Sequence, residues 1–234
     1  MAQFTDQDFF GGAIRGVVPQ RWIDASNLRE IPDHQELFLS SDTLSSLIIE
    51  INQRVSQEDA LSTFRTLSQQ DPTLAAGSGS PATASPEAID QAAALYHLHD
   101  LCEEGDGFQV VSPPHRVSPS KLVATAPAGS PVAVFKGIAQ IRSVPRQRGG
   151  QPPSGPGAVV AGEAVDGGQV QATTLTCHYL LVRLQAQETD LLIFFNSLIR
   201  KGDAQGLAKE ESLAEDTIQA LVEEFEIRDW GLFV

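Results

Sequence analysis

The sequence predicts an α+β fold, a three-layer α/β/α sandwich around a mainly antiparallel β-sheet. Short apolar or alternating segments separated by turn residues read as strands joined by hairpins. Capped helical patterns fall between and after those strands, which argues for an α+β layered sheet. Segments such as Leu191–Phe195 (LLIFF) have no polar face, so the sheet should be covered on both sides.

Taken in order, Gly11-Gly12 leads into a strand from Ala13 to Val18 that stops at Pro19. Asp24 is placed to cap one helical turn through Leu28, because its carboxylate can accept free N–H groups there. Pro32 keeps that turn short. Gln35–Leu39 resumes as a strand, with Glu36 and Phe38 on one face and Gln35, Leu37 and Leu39 on the other. Leu47–Ile51 is a further strand. Ser56-Gln57-Glu58-Asp59 resembles a capping box before a helix carrying Leu61, Phe64 and Leu67. Asp71–Ser85 is almost all Pro, Thr, Ala, Gly and Ser and reads as a flexible linker. Ser85-Pro86 then starts a helix with Ile89, Ala92, Ala93 and Tyr96 inward, ended by the Gly105-Asp106-Gly107 turn.

Phe108–Val111 reads as a strand, the Pro-rich Ser112–Pro131 gives only partial signals, and Val132–Val144 alternates as a strand. Pro145–Gly168 reads as a second insertion. Strands at Thr174–Leu184 and Leu191–Leu198 flank a hairpin loop over Gln185–Asp190, and a final helix runs from about Glu211 to Phe225 with Leu213, Ile218, Leu221, Val222 and Phe225 inward.

The 234 residues fit one domain carrying insertions near 71–85 and 145–168, and 41% hydrophobic residues allow a sizeable core. Sixteen basic against thirty acidic residues give a net charge of −14. That argues against nucleic-acid binding, which needs clustered Lys and Arg. It fits a partner with a basic surface, although solubility alone also explains it. Two cysteines make no disulfide framework and suit a reducing compartment. With no signal-peptide h-region or transmembrane run, a cytosolic or nuclear protein is expected, without membrane contact and monomeric.

His97, His99 and Cys102 invite a metal assignment, but on a helix the two histidines point about 200° apart. No metal and no cofactor is expected. Cys177 and His178 are adjacent on a strand and face opposite ways, which disfavours a nucleophile–base dyad. Asp33 and Glu36 are the best remaining cluster, with Asp24, Glu30 and Glu50 near in sequence or across strands. Three readings stay open on spacing alone: a capped turn, a protein-interaction site, or a general acid and base as in a glycosidase.

The run FFGGAI…VVP…WIDASNLREIPDHQELFL resembles the signature of the Ran guanine nucleotide release factor family. Ser46–Glu50, Tyr96–Leu101, Leu181–Leu184, Thr189–Leu192 and Ile227–Phe233 continue the resemblance in order. It implies an antiparallel α/β sandwich shared with photosystem II extrinsic proteins. It also implies a nuclear, non-enzymatic regulator that binds the GTPase Ran, promotes GTP release and holds the nucleotide-free form, in support of nuclear import. The family's acidic pair in its PD-x-QE segment falls on Asp33 and Glu36, with Gln35, Asp24, Arg29 and Glu50 as further expected contacts. Asn27 stands where some members carry Asp, and both insertions are longer than the family pattern. A scaffold without exchange activity, or a small hydrolase using the acidic residues, are the competing expectations.

Overall fold

The chain is described here by a computed structural model covering residues 2–72, 74, 85–143, 165–166, 169–170, 173–199 and 204–233. It opens with an antiparallel ladder of β1 (Phe4–Phe9) and β2 (Ile14–Pro19), joined through Phe10-Gly11-Gly12. All three joining residues have positive φ, 49°, 66° and 94° in turn, so two are glycine and Phe10 is held in a conformation its side chain disfavours. β3 (Ile23–Asp24), a 3-10 turn at Ala25–Asn27, β4 (Gln35–Leu39) and β5 (Ser46–Gln53) follow.

Two helices come next, α1 (Gln57–Gln70) and α2 (Pro86–Asp100). Their caps match expectation: the Ser56 hydroxyl accepts the Asp59 N–H, and the Ser85 hydroxyl accepts the Ala88 N–H. On α2 the inward residues are Ala92–Leu95, His97 and Leu98, while Ile89 and Tyr96 are half-buried at the margin. Most of the first linker lies outside the described residues, but Leu74 packs on the core beneath α1 and α2, so that end is not free of packing.

β6 (Gly107–Val117) is longer than expected and continues through Pro113-Pro114. It can do so because it is an outer strand, where a missing N–H breaks no central ladder, and its register shifts at Val110/Ser112 and Ser112/His115. The short helix α3 (Ser120–Thr125), which the Pro-rich composition hid, follows, then β7 (Val132–Ser143). β8 (Val165–Asp166) and β9 (Gln169–Val170) pair with each other; the rest of the second insertion lies outside the described residues.

β10 (Thr173–Leu184) and β11 (Thr189–Ile199) form the central hairpin. Its turn is tighter than Gln185–Asp190: a 3-10 turn at Gln185–Gln187 and Glu188 at φ 48° close it, and Asp190 belongs to β11. α4 (Ala204–Glu224) begins earlier than Glu211, and β12 (Glu226–Ile227) adds a third strand to the β1–β2 ladder.

Seven strands make the central sheet in the order β3-β4-β5-β11-β10-β7-β6, every pair antiparallel. One face carries Leu37, Ile48, Tyr179, Leu181, Leu192 and Phe194 under α1 and α2. The other carries Phe38, Ile49, Val182, Ile193 and Phe195 under α4 and the β1–β2–β12 ladder. Three layers around an antiparallel sheet are therefore present, and one outer layer contains a small sheet as well as helices. α4 lies close to β2 because Gly16 has no side chain: a Cβ there would stand 2.9 Å from the Phe9 ring and 3.1 Å from Leu221.

A buried polar cluster ties α2 to the central hairpin. Arg183, only 2% exposed, faces Asp190 across the ladder and donates from Nε to Asp190 Oδ1 at 2.9 Å. It also donates to Asp90 Oδ1 of α2 at 2.8 Å and to the Val55 carbonyl at 2.9 Å. Asp190 Oδ2 accepts the Val55 N–H at 3.0 Å and lies 2.9 Å from His97 Nε2, which must donate because an ionised carboxylate only accepts. Burial alone would raise the Asp190 carboxyl, but His97, Arg183 and the Val55 N–H together hold it below the ordinary value. Asp90 has fewer partners, and there burial prevails over Arg183, leaving its carboxyl raised.

Candidate functional site

The acidic segment lies along one edge of the central sheet, where β3 is the outermost strand and pairs only at Ile23/Leu39 and Asp24/Phe38. Its backbone is fixed by local bonds. The Asp24 side chain accepts the Ser26 N–H at 2.8 Å, and the Ala25 carbonyl accepts the N–H groups of Leu28 at 2.9 Å and Arg29 at 3.0 Å. Asn27 Nδ2 donates to the Asp24 carbonyl at 3.3 Å. Ala25 is fully buried, an apolar pin beneath the turn. After Pro32, the Gln35 N–H closes a tight turn onto the Pro32 carbonyl at 2.9 Å, which carries Asp33 and His34 outward.

The six expected contact residues do not share one face. Asp33 and Arg29 are exposed on the loop. Gln35 and Glu50 pair across strands, Gln35 Nε2 donating to Glu50 Oε2 at 3.2 Å, on the face covered by α1 and α2. Glu36 and Asp24 lie on the opposite face, the first at a register position beside Ile49 and the second beside Phe38. The sheet therefore separates Glu36 from Gln35 and Glu50, and only the loop residues are accessible from either side.

Glu36 also has an internal task. It is half-buried, and its Oε1 accepts the Phe10 N–H at 2.7 Å, tying the strained Phe10-Gly11-Gly12 turn to β4. Burial raises its carboxyl; the Phe10 N–H opposes this and Asp24 adds to it. Asp33 and Glu36 thus differ in kind: one is presented to solvent, the other is a partly sequestered clamp.

That difference weakens the acid–base reading. One Glu36 oxygen is already occupied, and an open groove of about 350 Å³ lies at the far end of β3–β4, lined by Arg21, Trp22, Ser40–Thr43 and Glu210 and not by Asp33 or Glu36. The histidines diverge as expected: His97 is bound to Asp190, while the His99 ring stands edge-on to Phe108 at 5.9 Å. Cys177 is fully buried, and burial raises its thiol; burial, with Asp106 and Asp100, pushes the Cys102 thiol up to about 12, so neither offers a thiolate near neutral pH.

Two features of this edge were not anticipated. Leu28, on the locked segment between Asp24 and Glu30, is 65% exposed, and Ile23, just before it on β3, is 43% exposed. Residue type alone could not separate them from Ala25, which the same segment buries.

Residues 7–198 match the family model described as Ran-interacting Mog1 protein. The chain belongs to the Mog1 family. A Dictyostelium discoideum protein named probable ran guanine nucleotide release factor is 25% identical over 240 residues, covering 99% of this chain and 97% of its own. The Danio rerio Ran guanine nucleotide release factor is 50% identical over a shorter stretch of 48 residues, 20% of this chain and 26% of its own. The crystal structure of the Saccharomyces cerevisiae Ran-binding protein Mog1p aligns over 100% of both chains with a TM-score of 0.51 and 20% identity, a likeness of fold. Among the described residues, no helix is long and apolar enough to cross a membrane.

Proposed function

We propose that this Mog1-family chain binds the small GTPase Ran through the 24–36 edge, promotes GTP release and stabilises the nucleotide-free form, supporting nuclear protein import as a regulator. The observation that carries this reading is the match of residues 7–198 to a family model described as Ran-interacting. The proposed site of action is the nucleus. Asp33 is the principal contact, since it is exposed on a turn whose backbone is already fixed and little entropy is lost on docking. Glu36 adds negative charge from one side and ties the neighbouring Phe10-Gly11-Gly12 turn to β4. A net charge of −14 would steer the chain to a basic partner surface.

GTPase nucleotide pockets hold phosphates with lysine, backbone N–H groups and Mg²⁺. A carboxylate edge that binds basic groups better after nucleotide loss shifts the equilibrium by no more than that difference in affinity. The test is loss of labelled GTP from Ran with and without the chain. Accelerated release that Asp33→Ala weakens supports the proposal. Binding without release would make the chain an adaptor, and the absence of both binding and release would overturn the Ran reading.

A further inference from the structure

Leu28 is the most exposed of the large hydrophobic side chains described, and its backbone N–H is bonded to the Ala25 carbonyl at 2.9 Å. We propose that Leu28 is the apolar anchor of this edge, inserted into a shallow apolar depression on Ran that is ringed by basic side chains. This rests on the Ran reading above and adds to it a residue that neither charge nor motif assigns.

A single exposed leucine on a protein surface needs no explanation. Three observations set this one apart. Leu28 is 65% exposed, and Ile23, on the same stretch of chain, is 43% exposed. The segment spends its hydrogen-bonding capacity on rigidity: Leu28 N–H, Arg29 N–H, Ser26 N–H and Asn27 Nδ2 are all bonded within residues 24–29. Its immediate surroundings are charged, with exposed Arg29, Glu30 and Asp33 and half-buried Asp24.

An apolar side chain held rigidly among carboxylates matches an interface in which a desolvated contact is surrounded by polar pairs that exclude water. It does not suit a lipid surface, because the surrounding carboxylates repel anionic headgroups. The same charge selects a protein surface with basic residues around the depression. In such an interface the charged rim sets the rate of encounter and its salt dependence, whereas the anchor sets the lifetime of the complex.

The experiment compares wild type, Leu28→Ser, Asp33→Asn and Val123→Ser for binding to nucleotide-free Ran by surface-immobilised kinetics at two salt concentrations. Val123 is a control, 56% exposed but on α3. Leu28→Ser is expected to weaken binding about tenfold, about 1.4 kcal/mol, through faster dissociation with the association rate and its salt dependence unchanged. Asp33→Asn is expected to slow association and reduce its salt dependence, and Val123→Ser to behave as wild type. Circular dichroism and thermal unfolding of Leu28→Ser should match wild type, because the side chain packs on nothing that the fold needs. Wild-type affinity for Leu28→Ser, or an equal loss in Val123→Ser, overturns the anchor while leaving the Ran reading standing. If wild type itself does not bind Ran, both fall.

Discussion

Replacing Asp190 by Ala tests the strongest internal tie in the fold. The wild-type carboxylate is fully buried and accepts from Arg183 Nε, the Val55 N–H and His97 Nε2 at 2.9, 3.0 and 2.9 Å. Its removal leaves a 2%-exposed guanidinium with Asp90 and one carbonyl as its remaining partners, and two buried donors without acceptors. Removing one member of a buried pair costs about 3–5 kcal/mol. Against a total stability of about 5–15 kcal/mol, that is a large fraction. Urea unfolding followed by circular dichroism should show the midpoint falling by about 2 M at a slope of about 2 kcal/mol/M. Adding Arg183→Met to Asp190→Ala should recover part of the loss, since the uncompensated cation is gone. The pH dependence has a definite sign. The native Asp190 carboxyl lies below its ordinary value of 3.8, so its contribution is complete above that value and lost as pH falls through the lower one. Asp190→Asn should flatten that acid limb. A midpoint for Asp190→Ala equivalent to less than about 1 kcal/mol of destabilisation would refute the reasoning.

Glu36→Ala should cost about 1–3 kcal/mol by orphaning the Phe10 N–H, whereas Glu36→Gln keeps an acceptor and should be near neutral in the same urea titration. Tyr179→Phe should stabilise the protein by about 1 kcal/mol, because the buried Tyr179 hydroxyl has no hydrogen-bond partner among the described residues; differential scanning calorimetry would read this as a higher Tm. Burial lowers the His178 imidazole against the pull of Glu215 and Glu211, so its contribution is complete above 6.5 and declines as pH falls through the lower native value. Urea midpoints between pH 7.5 and 5.5 should fall less in His178→Gln than in wild type. Gly16→Val should destabilise by about 1–3 kcal/mol or more by driving a side chain into Phe9 and Leu221, measured as a lower urea midpoint.

Much of the fold was legible because its signals are local. Ser56 and Ser85 announce their helices by side-chain caps, Pro19 marks the end of a strand, Pro32 keeps the turn before it short, and the apolar run at 191–195 shows that both faces are covered. β6 and α3 were obscured because Pro113-Pro114 carries opposite meanings in central and outer strands, and strand order is a tertiary fact. Arg183 carries a signal of its own. A charged residue within LLVRL, a hairpin away from Asp190, indicates a cross-strand ion pair once the turn is placed correctly. The acidic edge was identified by resemblance and charge, but its division across two faces and the clamp from Glu36 to Phe10 depend on register and on contacts distant in sequence. Leu28 could not be separated from buried neighbours by residue type.

The two connections of β10 obey opposite rules. Ser143 and Thr173 stand opposite one another in the β7–β10 register, so residues 144–172 depart and return at a single rung. Closing a longer excursion between fixed ends costs only about 0.6 kcal/mol for each doubling of length. Descendants of this chain can lengthen or shorten that excursion without displacing a strand of the central sheet. At the other end of β10, one residue added between Leu184 and Thr189 that slipped the ladder would turn Arg183 away from Asp190 and carry the charge to the wrong face. One end of the strand is an open port for inserted sequence; the other fixes its length to the residue.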